Sequence, residues 1–226
     1  MLRAIIFDFD GIIANNEPIH LLMFRKVLGG RGIFLSEEEY YATYLGMDDK
    51  GCFAALLKVH GQEASPATIN TLIQEKTRYY TEYIQKNLVI FPGVVEFVDA
   101  ASQHYPLAIA SGALRHEIEV ILDIAGIRKA FRTIVSAEDV SEGKPDPEGF
   151  LKALTRLREL TSLPISAENC LVIEDSIAGL VAARRAGMRC LAVTNTYPRE
   201  RLAEADRVIS SLENCRMEDL STLFID

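Results

Sequence analysis

The sequence lacks the features expected of secreted, membrane-spanning or nucleic-acid-binding proteins. Its four cysteines include no Cys-x-x-Cys pair, and Cys170 and Cys190 lie in or beside apolar runs, which predicts reduced thiols in a core. No apolar run approaches the ~20 residues that span a bilayer, and the run at residues 5–7 is too short for a signal peptide. Acidic residues outnumber lysine and arginine by 32 to 24, for a net charge of −8. This charge argues against nucleic acid or an anionic membrane as the main partner, and we expect a soluble, cytoplasmic protein.

Two carboxylates follow the first apolar segment. Residues 5–7 are apolar on both faces, which is typical of a strand buried in a parallel sheet. Asp8 and Asp10 come directly after it, separated by one residue, so in an extended chain they project to the same side. Two carboxylates this close need a proton or a cation, and open α/β sheets bind ligands at the carboxyl ends of their strands. The alternative is an Asx turn in which both side chains cap backbone amides.

The chain divides into two parts with different patterns. At 226 residues it is long enough for one domain or for one domain with an insertion. Residues 15–90 carry helical patterns, whereas the rest alternates strand and helix. We therefore predict an α/β fold with a doubly wound parallel sheet, formed by residues 1–14 and 91–226, and an inserted α-helical domain at residues 15–90. Strands are expected at residues 5–7, 107–110, 133–135, 171–173, 190–193 and 207–209, and helices at residues 20–28, 37–44, 48–60, 66–86, 94–103, 115–125, 147–160, 177–186 and 199–205.

Two further polar motifs follow predicted strands. Ser111 and Gly112 come after the second strand, where a hydroxyl and backbone amides form an anion cradle; an ordinary serine N-cap is the alternative. Lys144 stands in a stiff turn that opens a helix. A lysine held there pairs with phosphate or with the carboxylates, or else is a solvated turn lysine.

A second acidic pair, Glu174 and Asp175, ends the fourth predicted strand. Capping of the next helix by Asp175 or Ser176 is the alternative. Together with the first pair they place four carboxylates at the ends of two buried strands, and Mg²⁺ is the cation that such hard oxygen ligands suit. Small residues on one face of the helix at residues 179–187 indicate close packing on the sheet.

The order of these residues resembles the haloacid dehalogenase superfamily. The motifs are Asp8-Phe9-Asp10-Gly11, then Ser111, then Lys144-Pro145-Asp146, then Glu174-Asp175-Ser176. The match covers essentially the whole chain, and the helical insertion resembles the α-helical cap of the phosphoglycolate phosphatase and β-phosphoglucomutase branch. The resemblance implies a Rossmann-like core, a Mg²⁺ cofactor and chemistry at a phosphate group.

The resemblance also implies a role for each motif. Asp8 would be the nucleophile that forms an aspartyl-phosphate, and Asp10 the general acid that later activates water. Ser111 and the amide of Gly112 would hold the phosphoryl oxygens, and Lys144 would neutralise the nucleophile and the phosphate. The metal ligands would be oxygens of Asp8, Asp10 (through its carbonyl) and Asp175, with Glu174 in or next to the coordination shell.

The helical insertion carries residues that are expected to select the substrate. Residues 45–50 resemble the loop that senses substrate in relatives. For His20, a packed or surface histidine is the alternative. The candidate specificity residues are Glu17, His20, Gly46, Met47, Asp49 and Lys50.

Four positions depart from the family pattern. Asn15 stands where many relatives have Asp, and Gly112 where Asn or Ser is frequent, which leaves only a backbone donor there. Leu45 and Asp49 occupy positions at which β-phosphoglucomutases usually carry Lys and Arg to grip a second phosphate. A bisphosphate intermediate therefore has a poorer site, which favours hydrolysis.

These observations favour a Mg²⁺-dependent phosphatase that acts on a small phosphorylated metabolite such as phosphoglycolate or a sugar phosphate. A β-phosphoglucomutase-like phosphotransferase is the alternative within the superfamily, and a dehalogenase is less favoured because it needs no metal. A non-catalytic module that binds phosphorylated metabolites is the alternative from another class, although such a module gains nothing from a nucleophile beside a general acid. The sequence indicates neither one substrate nor an oligomeric state.

Overall fold

A parallel sheet lies at the centre of the larger of two units. The structure is a computed structural model that describes residues 1–45, 47–87 and 90–224. Met1–Ala14 and Ile90–Asp226 form the first unit, called here the α/β unit, and Asn15–Val89 form the second, the helical unit. The second boundary lies one residue before the predicted one.

The sheet has the predicted doubly wound, parallel architecture. Its strand order is β3-β2-β1-β4-β5-β6, and each neighbouring pair is parallel. The central three strands are buried along their whole length, as their continuous apolar runs predict. The strands are β1 (Ala4–Phe7), β2 (Leu107–Ala110), β3 (Phe131–Val135), β4 (Cys170–Glu174), β5 (Arg189–Val193) and β6 (Arg207–Ile209).

The direction in which strands are added reverses at β1. This strand pairs with β2 on one side and with β4 on the other, so that Ile6 lies opposite both Ala108 and Val172. The chain winds outward through β2 and β3, then returns to β4 and winds outward on the other side. In such sheets ligands bind at the carboxyl ends of the strands beside this reversal. The residues that follow β1 and β4 therefore occupy the expected ligand position.

The helical unit folds around its own apolar core, to which Phe24, Phe53 and Leu72 contribute. The helix predicted at residues 37–44 is confirmed, and it consists of a short α-turn at Glu37–Glu39 followed by a π-helical turn at Tyr40–Tyr44. In that turn the amide of Leu45 bonds to the carbonyl of Tyr40, five residues back, and both Tyr40 and Tyr44 are buried. The α-helices are α1 (Glu17–Gly29), α2 (Glu37–Glu39), α3 (Asp49–Val59) and α4 (Pro66–Asn87).

Five α-helices accompany the sheet in the described part of the α/β unit. Phe150, Ala182 and Ala183 belong to the core beneath the sheet, which confirms the predicted packing of small residues there. The helix predicted at residues 199–205 is only a 3₁₀ turn at Arg199–Leu202, because this short segment buries Leu202 alone and offers no apolar helix face. The helices are α5 (Val94–Ser102), α6 (Arg115–Ile124), α7 (Glu148–Thr161), α8 (Ile177–Arg185) and α9 (Met217–Ser221), of which α9 was not predicted.

The structure also shows the length and polarity of the helices and the burial of the cysteines. Each helix in the described ranges is too short or too polar to cross a lipid bilayer. Cys170 and Cys190 are buried free thiols, as predicted; Cys52 is also buried, and Cys215 is half-buried.

Candidate active site

Three carboxylates from the ends of β1 and β4 meet in the α/β unit. Asp8 follows β1, Glu174 is the last residue of β4, and Asp175 comes next. One side-chain oxygen from each lies within 4.8 Å of the other two. All three are buried, with exposed fractions of 8 % for Asp8, 0 % for Glu174 and 3 % for Asp175. We call them the carboxylate cluster. Asp10 is half-buried, and its side chain is not part of the cluster.

Lys144 supplies one positive charge to the carboxylate cluster. It precedes α7, and its Nζ lies 2.6 Å from Oδ1 of Asp8 and also contacts Oε1 of Glu174. The side chain is 18 % exposed, so the alternative of a solvated turn lysine is wrong. Burial alone would lower the pKa of Lys144, but the charges of Asp8 and Glu174 outweigh burial and hold this pKa above its ordinary value.

One lysine does not neutralise three carboxylates. Burial, followed by the charge of Glu174, raises the pKa of Asp8 to about 7 against the opposing effect of Lys144. Burial and the charges of Glu174 and Asp8 likewise raise the pKa of Asp175 well above its ordinary value. Without a further cation the cluster therefore retains protons that isolated carboxylates have lost at neutral pH. The arrangement favours the binding of a cation.

Both oxygens of Glu174 are engaged by the protein itself. Oε1 contacts Lys144, and Oε2 accepts hydrogen bonds of 2.9 Å from the amides of Asp175 and Ser176 and from the Ser176 hydroxyl. A Cβ at Gly179 would lie 1.8 Å from Oε1, so α8 can approach this carboxylate only because residue 179 is glycine. Ser176 also caps α8 by accepting from the amide of Gly179. Of the two capping alternatives Ser176 is therefore correct, and Asp175 remains in the cluster.

Asp175 is held by residues that the sequence motifs do not include. Thr196, in the loop after β5, donates its hydroxyl hydrogen to Oδ2 of Asp175. Its neighbour Asn195 donates from Nδ2 to the carbonyl of Gly11 at 2.7 Å. Gly11 has a φ of +80°, and a Cβ there would lie 1.9 Å from Oδ2 of Asp175. In the sequence, the feature that could have identified Asn195 and Thr196 as site residues is their position after the carboxyl end of a sheet strand, where ligands bind.

Ser111 and Gly112 follow β2 at the same edge of the sheet. The register of β1 and β2 places Ser111 one residue beyond the position opposite Asp8. Ser111 is buried, and its Oγ accepts a hydrogen bond of 3.0 Å from the amide of Ala113. Since α6 begins later, with Leu114 at its N-cap, the alternative of a Ser111 N-cap is wrong. Gly112 is exposed, with open space where a Cβ would stand.

In the helical unit, two of the candidate specificity residues surround a buried lysine. Oδ1 of Asp49 lies 2.5 Å from Nζ of Lys76, and Nδ1 of His20 lies 2.9 Å from the same atom. The ring of His20 also stacks on Tyr80 at 4.9 Å between centroids, so this histidine is packed, and its role in specificity stays a prediction. We call Asp49, His20 and Lys76 the lysine cluster. The sequence signal for Lys76 is a lysine on the buried stripe of α4, at helical spacing from Leu72 and Tyr80.

The other candidates in the helical unit have different surroundings. Glu17 accepts a hydrogen bond of 2.8 Å from the hydroxyl of Tyr40. Met47 and Lys50 are exposed. Gly46 lies outside the described residues.

Comparison with known proteins identifies the family. The family model of haloacid dehalogenase-like hydrolases matches residues 5–193. Protein CbbY of Rhodobacter capsulatus is 33% identical over 205 residues, which cover 88% of each chain. Validoxylamine A 7'-phosphate phosphatase of Streptomyces hygroscopicus subsp. limoneus is 27% identical over 96% of this chain and 97% of its own. The crystal structure of CbbY from Rhodobacter sphaeroides in complex with phosphate has a TM-score of 0.84 at 27% identity and covers 95% of this chain and 96% of that one. The chain belongs to the haloacid dehalogenase-like hydrolase family.

Proposed function

We propose that the protein is a Mg²⁺-dependent phosphatase that hydrolyses a small phosphorylated metabolite, of the sugar phosphate or phosphoglycolate type, through an aspartyl-phosphate on Asp8. The observation that carries the proposal is the charge imbalance of the carboxylate cluster, where three buried acids face one lysine. A cation site beside a prospective nucleophile is what attack on a phosphate dianion requires. The phosphatase name of the relative from Streptomyces and the phosphate bound to CbbY support the same chemistry.

The donor set fits Mg²⁺. The cluster offers only carboxylate oxygens, which are the hard ligands that this ion prefers. Asp8 and Asp175 would hold the ion, together with the carbonyl of Asp10. Glu174 would act through Lys144 and the backbone, because both of its oxygens already accept hydrogen bonds or an ion pair. When bound, Mg²⁺ would neutralise the cluster and the substrate's phosphate charge.

Asp8 would attack the phosphorus atom as a carboxylate. Its raised pKa opposes ionisation, and Lys144 at 2.6 Å, together with a bound cation, would favour the charged form. A new bond forms between an Asp8 oxygen and phosphorus while the ester bond breaks. Asp10 would give its proton to the departing oxygen, and the hydroxyl of Ser111 and amide of Gly112 would donate to the phosphoryl oxygens.

Hydrolysis of the phosphoenzyme would complete the cycle. Asp10, now ionised, would take a proton from a water molecule as that water attacks phosphorus. The bond to Asp8 then breaks, inorganic phosphate leaves, and both carboxyl groups return to their starting forms. The helical unit would choose the metabolite, in the manner of the α-helical cap that it resembles in sequence. The expected cytoplasmic location stays a prediction.

A phosphate-release assay on an aryl phosphate and a panel of phosphorylated metabolites, with Mg²⁺ or with excess chelator, tests the proposal. We expect release of inorganic phosphate with Mg²⁺ and none with chelator. Movement of the phosphoryl group to another position without its release would mean a phosphoglucomutase-like transferase. Binding without turnover would mean a non-catalytic module. Turnover undiminished by chelator would contradict metal dependence and favour the dehalogenase alternative.

A further inference from the structure

The loop after β5 contacts both elements that carry the metal-site acids. Thr196 donates to Asp175, which follows β4, and Asn195 donates to the carbonyl of Gly11, which follows β1. These partners are 21 and 184 residues away in the sequence. Two consecutive residues of one loop therefore link the segments that follow these two paired strands.

The hydrogen bond from Thr196 leaves the two oxygens of Asp175 unequal. With a cation bound, Asp175 is ionised and can only accept, so the hydroxyl of Thr196 is the donor and occupies Oδ2. Gly11 lies close to the same oxygen, since a Cβ there would lie 1.9 Å from Oδ2 but 3.0 Å from Oδ1. Thr196 and Gly11 thus both crowd Oδ2, and Oδ1 is the oxygen that these contacts leave for a cation.

We propose that Thr196 is a positioning residue that presents Asp175 to the cation through one oxygen and thereby favours Mg²⁺ over Ca²⁺. Mg²⁺ demands six ligands in near-ideal octahedral geometry, which a one-oxygen carboxylate suits, whereas Ca²⁺ accepts six to eight ligands and frequently takes both oxygens of a carboxylate. This inference deepens the proposed phosphatase function and rests on it, since it concerns the same cation site.

Asn195 supports the position of Asp175 through Gly11, which follows β1. Gly11 holds a positive φ of +80°, a conformation that glycine adopts without strain. The hydrogen bond of 2.7 Å from Asn195 to its carbonyl keeps the backbone of Gly11 beside Asp175. Loss of this bond alone would loosen the site without removing the hydroxyl donor.

Calorimetric titration of Mg²⁺ and Ca²⁺ into the purified protein tests the proposal. The variants are Thr196→Val, which removes the hydroxyl at nearly constant shape, and Thr196→Ser, which keeps it. Thr155→Val is the matched control, because it removes a hydroxyl whose partner among the described residues is the carbonyl of Leu151 within α7. Thr196→Ala serves as a second variant if valine does not fit, and thermal melting verifies that each variant is folded.

We expect Thr196→Val to weaken Mg²⁺ binding by about 10- to 100-fold, as loss of a partner to a metal ligand typically does. Ca²⁺ binding should weaken less, so that the Mg²⁺ to Ca²⁺ affinity ratio falls by about tenfold. Thr196→Ser and Thr155→Val should keep the wild-type ratio.

An unchanged ratio in folded Thr196→Val or Thr196→Ala would overturn the positioning role and leave the phosphatase proposal standing. Wild-type protein that binds Mg²⁺ yet releases no phosphate from any substrate would instead overturn the proposed function while leaving the role of Thr196 testable by affinity. Failure of the wild type to bind either ion would overturn both.

Discussion

The two units each bury a lysine, and the surroundings of these two lysines differ. Lys144, with 18 % of its side chain exposed, contacts Asp8 and Glu174 in a cluster that also contains Asp175. Lys76, fully buried, contacts Asp49 and His20 and lies 4.6 Å from the centre of the Phe24 ring. The first lysine faces three carboxylates, whereas the second contacts an aspartate and a histidine and is packed among rings.

We predict that this difference separates a ligand site from a structural contact. Surplus buried charge of one sign destabilises a fold unless an ion or substrate of opposite sign binds, so its presence indicates function. Where a lysine and an aspartate neutralise each other, we expect that their removal affects stability more than chemistry. The predictions below test this distinction, from the largest expected effect to the smallest.

Replacing Asp8 should abolish activity without unfolding the protein. Asp8→Asn should lower turnover of an aryl phosphate by about 10⁴-fold or more, because an amide does not attack phosphorus. Steady-state kinetics and thermal melting measure the two effects. Asp123→Asn, on the exposed surface of α6, is the matched control and should retain wild-type turnover. Retention of a tenth of the wild-type rate by Asp8→Asn would show that another residue is the nucleophile.

Replacing Lys76 should have the opposite effect from replacing Asp8: it should lower stability and change activity little. Lys76→Met leaves Asp49 without its cation and should lower the free energy of unfolding by about 3 kcal/mol. Denaturant titration measures this loss, and the double variant Lys76→Met, Asp49→Leu should recover much of it because both charges are gone. Lys86→Met, on the exposed side of α4, should change stability little. A loss of aryl phosphate turnover in folded Lys76→Met beyond about tenfold would contradict the structural assignment.

Mg²⁺ should stabilise the protein, and more so at high pH. The pKa of Asp8 rises from 3.8 to about 7 on folding, so the metal-free folded state binds more protons than the unfolded state within this window. Its stability therefore falls as the pH rises from about 4 to 7. At about a hundredfold excess over Kd, Mg²⁺ should add about 2.7 kcal/mol at pH 8, and less at pH 5 because protons compete. Melting curves with Mg²⁺ and with chelator at both pH values measure this stabilisation. An equal rise in melting temperature at pH 5 and pH 8 would contradict the prediction.

The smallest effect is expected at the exposed loop of the helical unit. Met47→Ala should alter the kcat/KM ratio between two phosphorylated metabolites by about tenfold, since apolar contacts discriminate only modestly. Turnover of a small aryl phosphate should stay near wild type. Leu22→Ala, at another exposed apolar position of this unit, is the control. Equal losses on every substrate would mean that Met47 acts on stability and that specificity resides elsewhere.

The carboxylate cluster could be predicted because it follows from strand order. Apolar runs that end in Asp8 and in Glu174 identify strands, and parallel strands bring their carboxyl ends to one edge. The partners of those acids could not be predicted in the same way. Thr196 follows a strand like many other polar residues, and its contact with Asp175 depends on the exact path of a loop. The contacts of Lys76 could not be predicted either, because helical periodicity shows that a lysine lies on the buried face but not which residues it contacts.

Local patterns also left the conformation of short segments undetermined. Residues 199–205 carry helix-favouring residues, yet the segment forms only a 3₁₀ turn because it buries Leu202 alone and offers no apolar helix face. The small residues of α8 were correctly assigned to packing, but the sequence did not distinguish Gly179, which lies against the carboxylate of Glu174, from Ala182 and Ala183 in the core.

The closeness of two glycines to the site acids has a consequence for mutational scanning. Gly11 and Gly179 each lie so near a carboxylate that a single added methyl group would overlap it, at 1.9 and 1.8 Å respectively. In a screen that replaces every residue in turn and scores activity, both positions should therefore be as intolerant as Asp8. Neither contributes an atom to the reaction. A map of intolerant positions would thus outline the space that the acids occupy as well as the groups that react, and alanine, the usual probe of side-chain function, would be among the most damaging replacements at both.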